Sequence, residues 1–191
     1  MKIVMNDDLK KACEVLRKGG VILYPTDTIW GLGCDATLEE AVRRIYEIKK
    51  RTDSKSMLTL IDSPDHLDQY VDDLPEIASD LIEYSDKPMT VIYSNAKNLA
   101  PNLIAADGTI GIRITKEVFS QALCRQFGKP IVSTSANFSG DPPPANFSEI
   151  NHEIFRLVDY VVKYRRDELQ KSRPSSIIRL EKNGVITIIR E

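Results

Sequence analysis

Apolar residues recur at helical spacing from Asp7 to Arg17, where Leu9, Ala12, Cys13, Val15 and Leu16 share a side, and Gly19-Gly20 stops the element. Val21 to Tyr24, a short β-branched and aromatic run ended by Pro25, predicts a buried strand that opens into a polar loop from Thr26 to Asp35. Thr37 followed by Glu40 matches a capping box, and Ala41, Val42, Ile45, Tyr46 and Ile48 then give a second helix an apolar face up to Lys49. Beyond it the pattern alternates. Strands are predicted at Met57 to Ile61, Met89 to Tyr93, Thr109 to Ile114, Ile131 to Thr134, near Tyr160 to Lys163, at Ser176 to Leu180 and at Gly184 to Ile189. One or two helices are predicted within Asp62 to Ser85, and further helices at Lys116 to Phe127 and near Phe147 to Leu157.

Helices interspersed with strands predict an α/β fold, a sheet with helices packed on it. The turn Lys182-Asn183-Gly184 predicts a closing antiparallel hairpin, so the sheet is expected to be mixed. No internal repeat or low-complexity tract interrupts the chain, and the dense run Pro142-Pro143-Pro144 sits beside a polar turn instead of in a linker. One domain over 1–191 is the expectation. A chain of 191 residues can bury roughly 70% of its unfolded surface.

Composition narrows the function classes. The chain is 42% hydrophobic and 28% charged, the mixture of an ordinary globular domain. With 26 basic and 28 acidic residues the net charge is -2, which argues against a general polyanion binder and confines any cationic site to a local cluster. No apolar run reaches the ~20 residues of a membrane span and the first residues lack a secretory pattern, so a cytoplasmic protein is expected. Cys13, Cys34 and Cys124 are odd in number and widely spaced, which predicts reduced, structural thiols.

Three loops are rich in hydroxyls, amides and glycine. The first, Tyr24 to Gly33, offers Thr26, Asp27 and Thr28 with Gly31 and Gly33 for close backbone approach; a turn capped by Asp27 explains it equally well. The second, Lys49-Lys50-Arg51-Thr52-Asp53-Ser54-Lys55, follows the second helix. By itself it fits a solvated tail that complements the helix dipole; a functional reading aims Lys49 and Arg51 together at phosphate or carboxylate oxygens. The third, Ile131 to Asn137, ends an apolar strand in Ser133, Thr134, Ser135 and Asn137, as a capped turn or as a polar ligand site.

Other chemistries are excluded. The sequence holds no P-loop, no Gly-x-Gly-x-x-Gly, no His-Glu-x-x-His and no Gly-x-Ser-x-Gly. His66 and His152 are isolated, which predicts solvated side chains. Tyr24 and Trp30 are expected in the core or in a pocket wall.

Taken in order, Tyr24 to Gly33, Lys49-Lys50-Arg51 and Ser135-Ala136-Asn137 resemble the hallmarks of the YrdC/Sua5/YciO family, the threonylcarbamoyl-AMP synthases. The similarity runs from the first helix to Arg190 and matches the short, single-domain form. It implies a YrdC-like fold: a twisted, open, mixed sheet flanked by helices, with a central polar cleft. It implies that L-threonine and bicarbonate form a carbamate, which attacks ATP at the α-phosphate to give threonylcarbamoyl-AMP and pyrophosphate. A downstream tRNA threonylcarbamoyl transferase would then modify N6 of the adenosine beside the anticodon.

By the same resemblance, Lys49 and Arg51 would hold the phosphates, Lys55 would lie near the nucleotide, and Ser135 and Asn137 would bind nucleotide or carbamate oxygens. Thr109 and Arg190 are implied for ATP, and Thr28, Arg113, Ser133 and Ser176 for threonine, with Arg113 on its carboxylate. Mg2+ is expected on the triphosphate, held by phosphate and water. The chain departs from the pattern at Leu60, where the family often has His, at Thr52, where Pro is usual, and at Asp86-Lys87-Pro88-Met89-Thr90, where Pro-Gly-Pro-[Leu/Met]-Thr is usual. These departures lean toward the YciO-like branch, a nucleotide-binding relative with another substrate; a second alternative, implied by the concave cationic surface of the family fold, is an RNA-binding module.

Overall fold

The computed structural model describes residues 2–50, 57–169 and 174–191. Helix α1 (Lys2–Arg17) turns Leu9, Ala12, Cys13 and Leu16 into the core and ends as expected, with Gly19 in the left-handed region and Gly20 N–H donating to the Val15 carbonyl at 2.9 Å. Strand β1 (Ile22–Tyr24) is wholly buried. The expected loop after it contains a strand, β2 (Gly31–Gly33), which pairs antiparallel with β1. Gly-Leu-Gly has no intrinsic strand preference; backbone pairing on both sides decides its conformation.

Helix α2 (Glu39–Ile48) buries Ala41, Val42, Ile45 and Ile48. The capping box does not form. Leu38 occupies the N-cap, while the Thr37 hydroxyl and N–H both donate to Asp35 Oδ1, at 2.6 and 2.8 Å. Asp35 is buried and needs those donors, and Lys129 Nζ donates to its other oxygen at 2.8 Å.

Strands β3 (Leu58–Ile61), β4 (Met89–Tyr93), β5 (Ile110–Ile114) and β6 (Ile131–Ser135) match the sequence pattern to within a residue or so. The acidic stretch between β3 and β4 carries a 3-10 turn (Pro64–Gln69) and α3 (Ile77–Glu83). Helix α4 (Val118–Phe127) is capped by Glu117, which accepts from Ser120 N–H at 2.7 Å. The helix expected near Phe147 to Leu157 is divided into a 3-10 turn (Phe147–Glu149) and α5 (His152–Leu157). Asn146 and Asn151 each cap a fresh start, accepting from Ser148 and Glu153 N–H, and this breaks the helical ladder between them. Strands β7 (Tyr160–Val161), β8 (Ser176–Leu180) and β9 (Ile186–Arg190) complete the set.

The sheet runs β7-β1-β2-β6-β3-β5-β4-β8-β9. Pairs β1/β7, β3/β5 and β4/β8 are parallel and the others antiparallel, including the expected β8/β9 hairpin, so the fold is the predicted mixed α/β sheet. Helices α1 and α4 pack on each other and against β1 and β3. Strand alternation then sorts the central side chains: Thr59, Val91, Ile112 and Val132 are core, while their neighbours Leu58, Thr90, Arg113 and Ser133 line a cleft. The three cysteines are free and buried, and burial pushes each thiol up in pKa. No helix among the described residues is long and apolar enough to cross a membrane.

Candidate functional site

The cleft has a volume of about 680 Å³, within the usual range for a small-molecule site. Thr28, Thr109, Arg113, Ser133, Ser135 and Arg190 line it, so residues from four separate stretches of the chain converge. Gly31 makes the convergence possible. It pairs with Ser135 in register, and a Cβ there would sit 3.1 Å from the Thr134 carbonyl oxygen and 3.3 Å from Ser133 Oγ.

The hydroxyls have defined roles. Thr26 Oγ1 donates to the Ile29 carbonyl at 2.8 Å and lies 3.0 Å from Thr28 Oγ1. A hydroxyl has one proton, so Thr28 donates to Thr26 and presents its lone pairs as acceptors. Thr109 likewise donates to Asp107 Oδ1 at 2.6 Å, and Arg179 reaches the other oxygen of Asp107 at 3.0 Å. The Thr109 hydroxyl and N–H, with Arg179, hold the Asp107 carboxyl below its ordinary range.

Cations dominate the cleft. Arg113, Arg179 and Arg190 line it against the single lining carboxylate Asp107, so cationic groups outnumber anionic ones there in a chain of net charge -2. Arg113 is only 3% exposed; its Nη2 lies 3.2 Å from Asp27 Oδ1, and its buried Nε has no hydrogen-bond partner. A buried planar fork without its hydrogen bonds is suited to a carboxylate. Arg190 donates through Nε and Nη2 to the Ser175 carbonyl, at 3.1 and 2.7 Å.

The remaining expected residues fall elsewhere. Lys49 and Asn137 do not line the cleft; the Lys49 ammonium donates to the carbonyls of Ser135 and Asn137 at 2.7 and 2.8 Å, and the residue is buried, not a solvated tail. Ser176 also lies off the cleft, with Oγ 3.5 Å from the Pro88 carbonyl, and Ser175 takes the lining position. One step along a strand reverses the direction of a side chain. Arg51 and Lys55 lie outside the described residues. Tyr24 is core, not wall, and Trp30 packs on Phe147 beside the cleft. His66 meets Asp62 at 3.0 Å and is not part of the cleft; nor is His152. Leu60, in register with Arg113, is fully buried. Sequence reasoning missed Asp107, Ser175 and Arg179, which no motif marks: Arg179 is placed by the pairing of β8 with β4, Asp107 by the turn before β5 and Ser175 by the residue leading into β8.

The Sua5/YciO/YrdC family model, described as telomere recombination, matches residues 14–191. This chain belongs to that family. Among Sua5/YciO/YrdC proteins, the threonylcarbamoyl-AMP synthase of Hahella chejuensis is 35% identical over 170 residues, covering 88% of this chain and 91% of that protein. The crystal structure of E. coli YciO superposes with a TM-score of 0.82 at 27% identity, over 96% of this chain and 88% of that one. P. abyssi Sua5 complexed with L-threonine has the same fold, with a TM-score of 0.82 at 24% identity; it covers 95% of this chain, which spans 53% of that protein.

Proposed function

We propose that this chain is a threonylcarbamoyl-AMP synthase, one YrdC-like domain that condenses L-threonine, bicarbonate and ATP. The observation that carries the reading is the buried Arg113 on the floor of a cationic cleft, with hydroxyls around it. The identity with the Hahella chejuensis enzyme supports the substrate class.

In this reading the Arg113 fork pairs with the threonine carboxylate, and Thr28 accepts from the amine. Loss of water from threonine amine and bicarbonate leaves a carbamate oxygen facing Ser133 and Ser135, whose hydroxyls can donate to it. That oxygen attacks the α-phosphorus in line and the bond to pyrophosphate breaks, a step that needs positioning and neutralised charge but no protein nucleophile. Arg190 and Arg179, which line the cleft, face the phosphates in this reading; Arg51 and Lys55 are assigned to the phosphates by the family resemblance alone. Lys49 shapes the Ser135–Asn137 turn. Mg2+ would be carried by the ATP phosphates and water. The product passes to a separate transferase that acts on tRNA.

One observation favours a second reading. Leu60 buries an apolar side chain beside Arg113, which suits a YciO-like relative with a different amino acid or acid substrate. Purified protein given ATP, bicarbonate and L-threonine should release pyrophosphate. Release with another amino acid only selects the second reading, and no release with any of them overturns both. Arg51→Ala should lower turnover by roughly 100-fold or more.

A further inference from the structure

Two cavities share one wall, and that wall is an ion pair. Arg113 lines the main cleft, whereas Asp27 lines a second cavity of about 260 Å³ with Met89, Ile114 and Glu117, rimmed by the exposed Lys87 and Lys116. The side chains of Arg113 and Asp27 are 3% and 9% exposed, and their charged atoms are 3.2 Å apart. The pair touches without hydrogen-bond geometry: Asp27 Oδ1 and Arg113 Nε are both buried and unbonded. Among the described residues the Arg113 guanidinium forms no other ion pair.

Arg113 and Asp27 are neutral together, so a substrate carboxylate that takes over Arg113 leaves the buried Asp27 without its counter-ion. We propose that Arg113 exchanges partners: it pairs with Asp27 in the empty cleft and with the amino-acid carboxylate in the filled one, while Asp27 takes up a proton from solvent through the second cavity. The proton adds to a carboxylate oxygen of Asp27 and neutralises it, the substrate carboxylate, already charged on arrival, replaces it as the counter-ion, and Arg113 stays cationic throughout. This rests on the reading of the cleft as an amino-acid site.

The surroundings of Asp27 support the exchange. Burial raises its carboxyl above the ordinary range; Arg113 and the backbone N–H groups of Asp27 and Lys116 pull it down, Glu117 pushes it up, and the net direction is upward. Burial likewise lowers the Arg113 guanidinium. Of the other charged or titratable groups nearby, Glu117 pairs with Arg165 at 3.5 Å, Lys116 donates to the Ser85 carbonyl at 2.8 Å, Asp86 and Lys87 line the second cavity as exposed side chains, the Arg190 charge opposes that of Arg113, and Tyr24 and Cys124 are held neutral by burial.

Calorimetric titration of the full chain with L-threonine in phosphate and in Tris, at about pH 7, reads the proton directly. Wild type should take up as much as about one proton per threonine, and its affinity should fall by up to about tenfold per pH unit as pH rises through the Asp27 range. Asp27→Asn, which mimics the protonated carboxyl, should lose both effects. A proton lost from the threonine ammonium would alter both proteins alike and cancels in the difference. Heat without buffer dependence in wild type, or uptake that persists in Asp27→Asn, overturns the exchange. If the Asn variant does not fold, wild-type affinity from about pH 5 to about pH 8 decides: a flat profile overturns the exchange. No heat from any amino acid overturns the amino-acid reading itself.

Discussion

The ammonium of Lys49 lies 2.8 Å from the backbone carbonyl oxygen of Asn137 and 3.3 Å from its side-chain Oδ1. The same ammonium donates to the Ser135 carbonyl, and Ser139 N–H returns a bond of 2.9 Å to the Lys49 carbonyl. The end of α2 and the turn after β6 are thereby tied by a buried cation. Lys49→Met keeps the length of the stem but leaves those carbonyls without their charged donor. It should cost about 2–3 kcal/mol in chemical denaturation. An unchanged midpoint would show that the turn holds its shape without the cation.

Arg113→Lys preserves the charge and removes the planar fork. If Arg113 receives the substrate carboxylate, kcat/KM for the amino acid should fall about 10- to 100-fold, with a smaller change for ATP. Equal losses for both substrates would place the residue's effect in the fold of the cleft instead.

Gly33 has no room for a side chain. A Cβ would stand 2.6 Å from Tyr24 Cε1 and 3.0 Å from the Val132 carbonyl oxygen, and Tyr24 is completely buried. Gly33→Ala should therefore destabilise the protein by about 2–3 kcal/mol. Gly108 makes the contrast: it has a φ of +78° and open space, so Gly108→Ala should cost about 1–2 kcal/mol from backbone conformation alone. Thermal melts of the two variants separate crowding from backbone strain.

Asp159 accepts from Val21 N–H at 2.8 Å and pairs with Arg44, fastening β7 to β1. Burial raises its carboxyl, but the Arg44 bond, the Val21 N–H and the Arg44 charge together leave it below the ordinary range. A carboxylate lowered by folding contributes stability above its unfolded pKa of about 4 and loses it as pH falls through the folded value. Asp159→Ala should thus cost about 1 kcal/mol at neutral pH, a modest figure because the side chain is part exposed, and progressively less as pH falls through the folded value. Denaturation midpoints at neutral and at acid pH check the sign; a deficit that grows on acidification would contradict it.

Period and punctuation made much of the molecule legible. Helix α1 and its glycine stop, β4, β8 and the final hairpin follow from local pattern, and so does the mixed character of the sheet. Strand β2 did not, because Gly-Leu-Gly prefers nothing and is a strand only between β1 and β6. The capping box failed for a related reason: Thr37 serves the buried Asp35, a demand invisible in local sequence.

The candidate site divides along the same line. The sequence by itself determined which residue types were present: the hydroxyls of Thr28, Ser133 and Ser135, the guanidiniums of Arg113 and Arg190, and the glycines that let strands approach. Only tertiary structure decided that these meet in one cleft, that Ser175 faces it instead of Ser176, and that Lys49 binds carbonyls of the turn. It alone set Asp27 against Arg113. Local pattern encodes which face of an element is apolar, while contacts between residues far apart in the chain depend on strand order and register, which no short window of sequence contains.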